Sequence, residues 1–297
     1  MNQWICLTSR SVIALSGKEV PPFLQGLVTQ NVMRSFPQFT ALLTPQGRFH
    51  SDFFIIPYQD GLLLECDKKH HASLLALLKK FSVFHPMTIE DLSSVYSVCV
   101  GLGPYVRTML SLSDDGLTVH DNGMLFYPDL RTPGMGVRAL VPYKVLSYLP
   151  HPLLLPSREE NYHYHRLGHI VPEGAYDLVV DKSIILEYNY HTLGALCWEK
   201  GCYMGQELMA RTFHRGEIRK KPYGLKLVEG SFPDVGTDLF YQGEKLGVMG
   251  SHCRELGLAC LYRAQMQAIL ASESLDLTWG EVPQAFTVAL YEYPIAP

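Results

Sequence analysis

The sequence predicts an α+β chain that ends in an all-β unit, and three observations carry that reading. Helical and strand-like segments are interleaved up to about residue 215. From Tyr223 onward only short alternating runs remain ("YGLKLV", "TDLFYQ", "KLGVMGS", "LGLACLY", "FTVALYEY"), separated by Gly, Pro and Asp turns, as in a small antiparallel barrel or sandwich. The 297 residues, 47% apolar and 18% charged, suffice to bury a sizeable core and to divide into two or three domains.

Taken in order, "SVIAL" at 11–15 reads as a strand punctuated by Gly17, and "EVPPFLQGLVTQNV" as a short helix and turn interrupted at Pro21–Pro22. The run "FTALLTPQGRFHSDFFIIPYQDGLLLECD" reads as three strands joined at Pro45–Gly47 and Tyr58–Gly61, both with turn chemistry. Asp67 is placed to cap a helix over 68–81, whose Leu74, Leu75, Leu78 and Phe81 share one face. Two or three further strands follow, one turning at Asp121–Asn122–Gly123 and another in "MGVRALVP". Ser157 and Glu160 have capping-box spacing for a helix ending at Gly168. A domain boundary is expected at 216–222.

A net charge of −4 argues against a general polyanion binder, so no direct nucleic-acid partner is expected. The most apolar stretch, "ALVPYKVLSYLPHPLLLP", carries a lysine and four prolines and is a poor membrane span. No targeting pattern stands out in "MNQWICLTSRSVIALSG", which points to a cytoplasmic monomer. The seven cysteines form no CxxC pair, and several lie in apolar runs such as "SVYSVCVGLG", so reduced buried thiols are expected rather than disulfides or a zinc site. The glycines form neither a P-loop nor a dinucleotide fingerprint.

One stretch departs from that pattern. In "EKGCYMGQE", residues 199–207, Cys202 lies between two glycines, just before the helix expected over "QELMARTFH". Amides at that helix end and the charge of Lys200 would lower the thiol pKa, while Gly201 and Gly205 would allow positive φ or close approach of a ligand. Glu207 and Arg211 have helical i,i+4 spacing, and five basic residues (211, 215, 219, 220 and 221) face one acid, Glu217, in the segment that follows. An inward-facing cysteine in a Gly-rich turn fits the local chemistry equally well, and His191 and His214 are partners only by nearness in sequence.

"KGCYMGQE" followed by "ARTFHRG" resembles the signature of the YgfZ family of folate-binding proteins, which includes mitochondrial iron–sulfur assembly factors and is related to the glycine-cleavage T-protein, an aminomethyltransferase (GcvT-like). "FLQGLVTQNV", "LLTPQGRFHSDFFI", "RLGHIVPEG", "IILEYNYHTLGALCWEKGCY" and "KLGVMGSHC" resemble further family segments in the expected order, thinly between about 67 and 155. The resemblance implies a ring of two ferredoxin-like α+β domains followed by a C-terminal antiparallel β-barrel. On this reading 1–50 with 150–215 form the first, folate-binding domain, 51–149 the second, and 216–297 the barrel.

It also implies a role. Family members support maturation of 4Fe-4S enzymes, including those that thiolate tRNA, and bind tetrahydrofolate. In the mitochondrial branch the cysteine matching Cys202 helps hold a cluster shared with an A-type assembly protein; thiolate is the ligand iron demands. Cys202 is therefore expected to be a functional thiol and cluster ligand, with Lys200, Gly201, Tyr203, Gly205, Gln206 and Glu207 as its motif. The expected protein is an accessory factor without turnover of its own, served by an A-type partner and 4Fe-4S client enzymes; the alternative is a folate-dependent aminomethyltransferase.

Glu187 matches a T-protein carboxylate that contacts the pterin, a task suited to a group that accepts two parallel hydrogen bonds. Arg211 could meet a folate carboxylate or pair with Glu207. Asp52 is polar inside an aromatic strand. The T-protein has an Asp–Asp pair there, one of them catalytic, whereas this chain has Ser51–Asp52, so Asp52 is expected as a cleft residue. His163, His165 and His169 are expected on a solvated helix surface, since 163 and 165 lie on different faces and Gly168 ends the helix before 169.

Overall fold

The computed structural model describes residues 1–34, 37–112, 116–148, 151–214, 216, 218–269, 274–280 and 284–291. Arg215 and Glu217 of the basic segment lie outside the described residues.

The N-terminal part runs through β1 (Gln3–Leu7), β2 (Arg10–Ser16), α1 (Val20–Gln25), β3 (Gln38–Leu43), β4 (Phe49–Tyr58), β5 (Gly61–Asp67) and α2 (Lys68–Phe81). Next come β6 (Thr88–Asp91), β7 (Tyr96–Leu102), α3 (Val106–Met109), β8 (Thr118–Val119), β9 (Leu125–Pro128) and β10 (Val137–Pro142). After β11 (Leu155–Ser157) the chain forms α4 (Glu159–Gly168), α5 (Gly174–Asp177), a 3₁₀ turn (Ile185–Tyr188) and α6 (Gln206–His214). The remainder is β12 (Lys220–Glu229), β13 (Asp238–Tyr241), β14 (Glu244–Cys253), β15 (Leu256–Tyr262), α7 (Arg263–Ile269), β16 (Leu275–Trp279) and β17 (Gln284–Tyr291).

These strands make two open sheets, ordered β3-β4-β5-β2-β6 and β11-β1-β7-β10-β9-β8, and a closed barrel, β12-β15-β14-β13-β16-β17. Both open sheets are apolar on both faces because each is covered twice. Val12, Ala14, Phe54 and Leu63 of the first sheet meet Ile5, Leu7, Val98 and Val100 of the second in one core. The alternate residues of the first sheet, such as Ile13, Leu15 and Ile55, pack under Phe23 of α1 and Leu74 and Leu78 of α2. The outer face of the second sheet packs Trp4, Phe126 and Ala139 against Val106 and Leu110. The barrel closes around Leu225, Leu239, Leu246 and Phe286. Among the described residues no helix is long and apolar enough to cross a membrane.

Several local expectations change in the folded chain. Asp67 does cap α2, accepting from Lys69 N at 2.8 Å, but Phe81 at the far end is exposed and His70 takes a place on the buried face. Pro21 and Pro22 start α1 instead of interrupting it, since the first helical turn needs no N–H from them. The Ser157–Glu160 capping box does not form: α4 has no side-chain cap, Glu159 accepts from Thr8 and Ser9, and Glu160 pairs with Arg254 of the barrel. The boundary expected at residue 50 falls inside β4, which is hydrogen-bonded to both β3 and β5, so strand pairing joins residues on either side of it in one sheet.

Between the sheets runs a buried set of alternating charges. Glu65 takes Arg10 Nε at 2.6 Å and Arg138 Nε at 2.7 Å, and Tyr127 donates its hydroxyl to the same carboxylate. Arg138 and Arg131 share Asp129, Arg131 reaches Glu173 at 3.5 Å, and Arg166 links Asp177 to Ser251 of the barrel. Burial opposes the charge on Glu65, yet Arg138 and Arg10 hold its carboxyl down at about 2.

Candidate functional site

The segment around Cys202 is fixed by its neighbours in sequence, not by the cysteine itself. Lys200 is buried, and its ammonium donates to the carbonyls of Gln25 and Val28 at 2.7 Å and of Gln30 at 2.8 Å. Cys197 N donates to Thr29 O and Met204 N to Gly26 O, both at 3.0 Å, while Thr29 Oγ1 returns a bond to Ala195 O at 2.6 Å. Residues 195–204 are thus stitched along residues 25–30. Burial pulls Lys200 down to about 8 against the neighbouring Cys197 thiol. The charge expected beside Cys202 is therefore spent on backbone carbonyls 170 residues and more away in sequence.

Two glycines lock the other side. Gly205 has φ +81°, and a Cβ there would lie 2.8 Å from Gly47 Cα and 2.6 Å from Thr44 O. Gly47 has φ +73°, and its own Cβ would lie 2.8 Å from Gly205 O and 2.6 Å from Leu208 Cβ. Each position excludes a side chain through both its dihedral and the approach of the other loop. Tyr203 is buried, its hydroxyl pushed up to about 12 by burial, with the Lys200 ammonium 5.1 Å from its ring centroid. Gln206 opens α6, its N–H donating to Tyr203 O at 3.2 Å.

Between these anchors Cys202 is exposed. Gly201 beside it takes no left-handed φ, and a Cβ there would meet nothing within 4 Å. Neither strain nor packing asks for glycine at that position; it leaves bare surface next to the sulfur. A pair of side chains not foreseen as partners lies on flanking segments: Trp198 stacks on Phe213 with centroids 4.1 Å apart, and His214 and His191 edge onto Phe213 at 5.2 and 6.1 Å.

α6 connects the cysteine loop to a cleft of about 620 Å³ that contains both Glu187 and Arg211, with Ile184, Thr212, Ile218 and Arg219. Glu187 sits on the 3₁₀ turn. Among the described residues its carboxylate has no hydrogen bond or ion pair, although burial raises its pKa and the charges of Lys220, Arg48 and Arg219 act against that rise. Arg211 and Glu207 are paired at 2.8 Å and both exposed.

Asp52 is elsewhere. It is buried, accepting from Tyr190 OH at 2.8 Å and Gly174 N at 3.2 Å, and its Oδ1 has no partner. A side chain at Gly174 would come within 2.5 Å of that oxygen. The expectation of a cleft residue gives way to a carboxylate held inside the core, because the aromatic strand that carries it is buried on both faces. The three histidines also differ from a solvated surface. His163 accepts from Arg166 Nε at 3.1 Å, His165 and His169 have ring centroids 4.2 Å apart, and burial pulls His165 down to about 4. Among the described residues no group of three or more His, Cys, Asp or Glu side chains could hold a metal ion.

No family model matches the chain. Curated relatives do. The chain is 30% identical over 251 residues to the mitochondrial iron-sulfur cluster assembly factor IBA57 homolog of Neurospora crassa, covering 78% of this chain and 55% of the relative. With the human mitochondrial iron-sulfur cluster assembly factor IBA57 it shares 28% identity over 306 residues, 92% of this chain and 83% of the relative. The chain spans little more than half the length of the first fungal relatives, 57% for that of Coccidioides immitis. Its fold is that of the glycine cleavage system aminomethyltransferase T, the Bartonella henselae enzyme matching 99% of this chain and 86% of its own at a TM-score of 0.76 and 13% identity. The relatives are named as mitochondrial proteins, which overturns the cytoplasmic expectation.

Proposed function

We propose that this chain is a mitochondrial accessory factor of the YgfZ type, which binds tetrahydrofolate and supports maturation of 4Fe-4S proteins through Cys202. The observation that carries the reading is the contrast within one loop. Lys200, Tyr203 and Gly205 are immobilised by buried contacts, while the thiol between them is exposed beside a glycine with open space around it. Such a loop presents a sulfur to another molecule. Iron is the matching cargo, because a thiolate ligand can be shared with an A-type assembly protein that supplies the remaining ligands. Client 4Fe-4S enzymes, tRNA-thiolating enzymes among them, would receive the cluster.

The Glu187 cleft supports the folate part. A half-buried carboxylate without a partner accepts hydrogen bonds from the pterin amino group and ring N–H, and Arg211 and Arg219 on the same cleft suit the glutamate carboxylates. One experiment tests both parts. Cys202→Ser should fold, bind tetrahydrofolate as wild type does, and fail to rescue a 4Fe-4S enzyme in cells lacking the native gene. Glu187→Ala should weaken tetrahydrofolate by about 1.5–3 kcal/mol in calorimetry. Full rescue by Cys202→Ser overturns the cluster reading, and glycine-cleavage turnover that vanishes in Asp52→Asn but survives in Cys202→Ser replaces it with aminomethyl transfer.

A further inference from the structure

Cys6 and Cys99 face each other across the middle of the second sheet. The register of antiparallel β1 and β7 pairs them directly, Cys6 with Cys99, between Ile5–Val100 and Leu7–Val98. Their sulfurs are 3.0 Å apart and both thiols are reduced. Directly opposed residues of an antiparallel pair have Cα atoms about 4.5 or 5.5 Å apart, and both spacings lie within the range a disulfide spans. Closing the bond requires the sulfurs to approach by about 1 Å, to the usual separation of about 2.05 Å, which side-chain rotation supplies without parting the strands. Among the described residues no other two cysteine sulfurs are in contact: Cys66 meets Ser11 Oγ, Cys253 the carbonyl of Glu160 and Cys260 that of Glu187.

The two thiols are also unequal. Cys99 is buried among Trp4, Val106 and Phe126, whereas Cys6 is only partly covered. The contact between the two sulfurs lowers the Cys6 pKa, against burial and the Glu159 charge, and together with burial raises that of Cys99. One sulfur is thus partly open to solvent, and the other lies buried directly behind it. That is the arrangement of an attacking and a resolving cysteine.

We propose that Cys6 and Cys99 form a reversible cross-strand disulfide in reaction with a hydroperoxide, a modification site separate from Cys202. The Cys6 thiolate attacks one peroxide oxygen, the O–O bond breaks, and hydroxide leaves; Cys6 is then a sulfenic acid, oxidised by two electrons. The Cys99 sulfur attacks the Cys6 sulfur, the S–O bond breaks, and the Cys99 proton leaves with the departing hydroxide as water. Counting the proton first released by Cys6, two thiols and one hydrogen peroxide give one disulfide and two waters. A dithiol reductant reverses the step.

The test uses the full chain carrying Cys202→Ser, so that the exposed thiol consumes no oxidant. It is treated with a small excess of hydrogen peroxide near neutral pH, quenched with iodoacetamide and digested without reductant. The expected result is an intact mass lower by two hydrogens in an aliquot taken before alkylation and digestion, a peptide pair joined through Cys6 and Cys99, and full reversal by dithiothreitol. Cys6→Ser on that background should slow the loss of the Cys99 thiol by about tenfold or more, since the buried sulfur then meets peroxide unaided. Should Cys6→Ser fail to fold, phenylarsine oxide on the Cys202→Ser chain decides the same question, because a facing dithiol captures one arsenic and protects both sulfurs from alkylation. Cys6 oxidised to sulfinic acid while Cys99 stays a free thiol, a disulfide from either to another cysteine, or no capture of the arsenical overturns the proposal.

Discussion

Two glutamates of this chain show how differently the same carboxylate is housed. Glu65, between the two sheets, is answered on both oxygens by Arg10, Arg138 and Tyr127. Glu187, on the rim of the cleft, lies near Arg48, Arg219 and Lys220, yet among the described residues nothing bonds to its carboxylate oxygens. Both sites are rich in cations. What separates them is whether the hydrogen-bonding capacity is used up inside the protein. A buried ion set that closes on itself specifies packing and has nothing left for a ligand. A carboxylate held back from its neighbouring cations keeps its acceptors for something that arrives later. The arginines and acids near α4 belong to the first kind, their hydrogen-bonding capacity used within the fold.

The comparison can be tested by mutation, and the largest effect is expected at Glu65. Glu65→Gln leaves Arg10 and Arg138 buried without their counter-charge and should lower the unfolding free energy by about 3–5 kcal/mol in denaturant titration. A loss below about 1 kcal/mol would mean the set is far more hydrated than its burial indicates. Lys200 stands between the two cases, a charge answered by neutral carbonyls. Lys200→Met strands three acceptors and should cost about 2–3 kcal/mol, and limited proteolysis should then cut within 195–205 of the otherwise folded protein. Glu187→Gln should be the mildest, within about 0.5 kcal/mol at neutral pH. Acid sharpens the contrast through opposite signs. Glu65, depressed to about 2, stabilises fully above the ordinary carboxylate value of about 4.3, and that stabilisation disappears as pH falls toward 2. Glu187, raised by burial, imposes a cost at neutral pH that is relieved as pH falls through its folded value. Relative to wild type, Glu187→Gln should therefore lose its advantage on acidification, and Glu65→Gln its disadvantage.

Much of the architecture is legible in the sequence because it depends on neighbours along the chain. The Asp67 cap, the three strands from Phe39 to Asp67 and the short alternating runs of the barrel follow from local periodicity and turn residues. The site is legible only in outline. Cys202 and Glu187 stand out by residue type and by resemblance, and the fold adds that Glu187 and Arg211 share a cleft. The task of Lys200 is hidden because its acceptors are backbone carbonyls, which carry no side-chain signature, and they belong to a segment distant in sequence. Asp52 is ambiguous because polarity in an aromatic strand signals either a ligand contact or an internal hydrogen bond, and Tyr190 supplies the second. The ion set does have a signal in the sequence: Glu65 in "LLLECD" and Arg138 in "MGVRALVP" each interrupt a fully apolar strand, and two such interruptions of opposite sign call for each other.

The Lys200 staple also dictates an order of assembly. Its three bonds close loops of 175, 172 and 170 residues, among the costliest contacts in the chain to form early. During synthesis or threading from the N-terminus, residues 25–30 emerge long before the ammonium that will gather their carbonyls. The cysteine loop consequently acquires its shape near the end of folding, once both sheets exist and α6 has been delivered against the Gly47 turn. A chain cut short before α6 could build sheets yet hold its thiol on an unfixed strand, so that the exposed sulfur takes its place only in a completed fold.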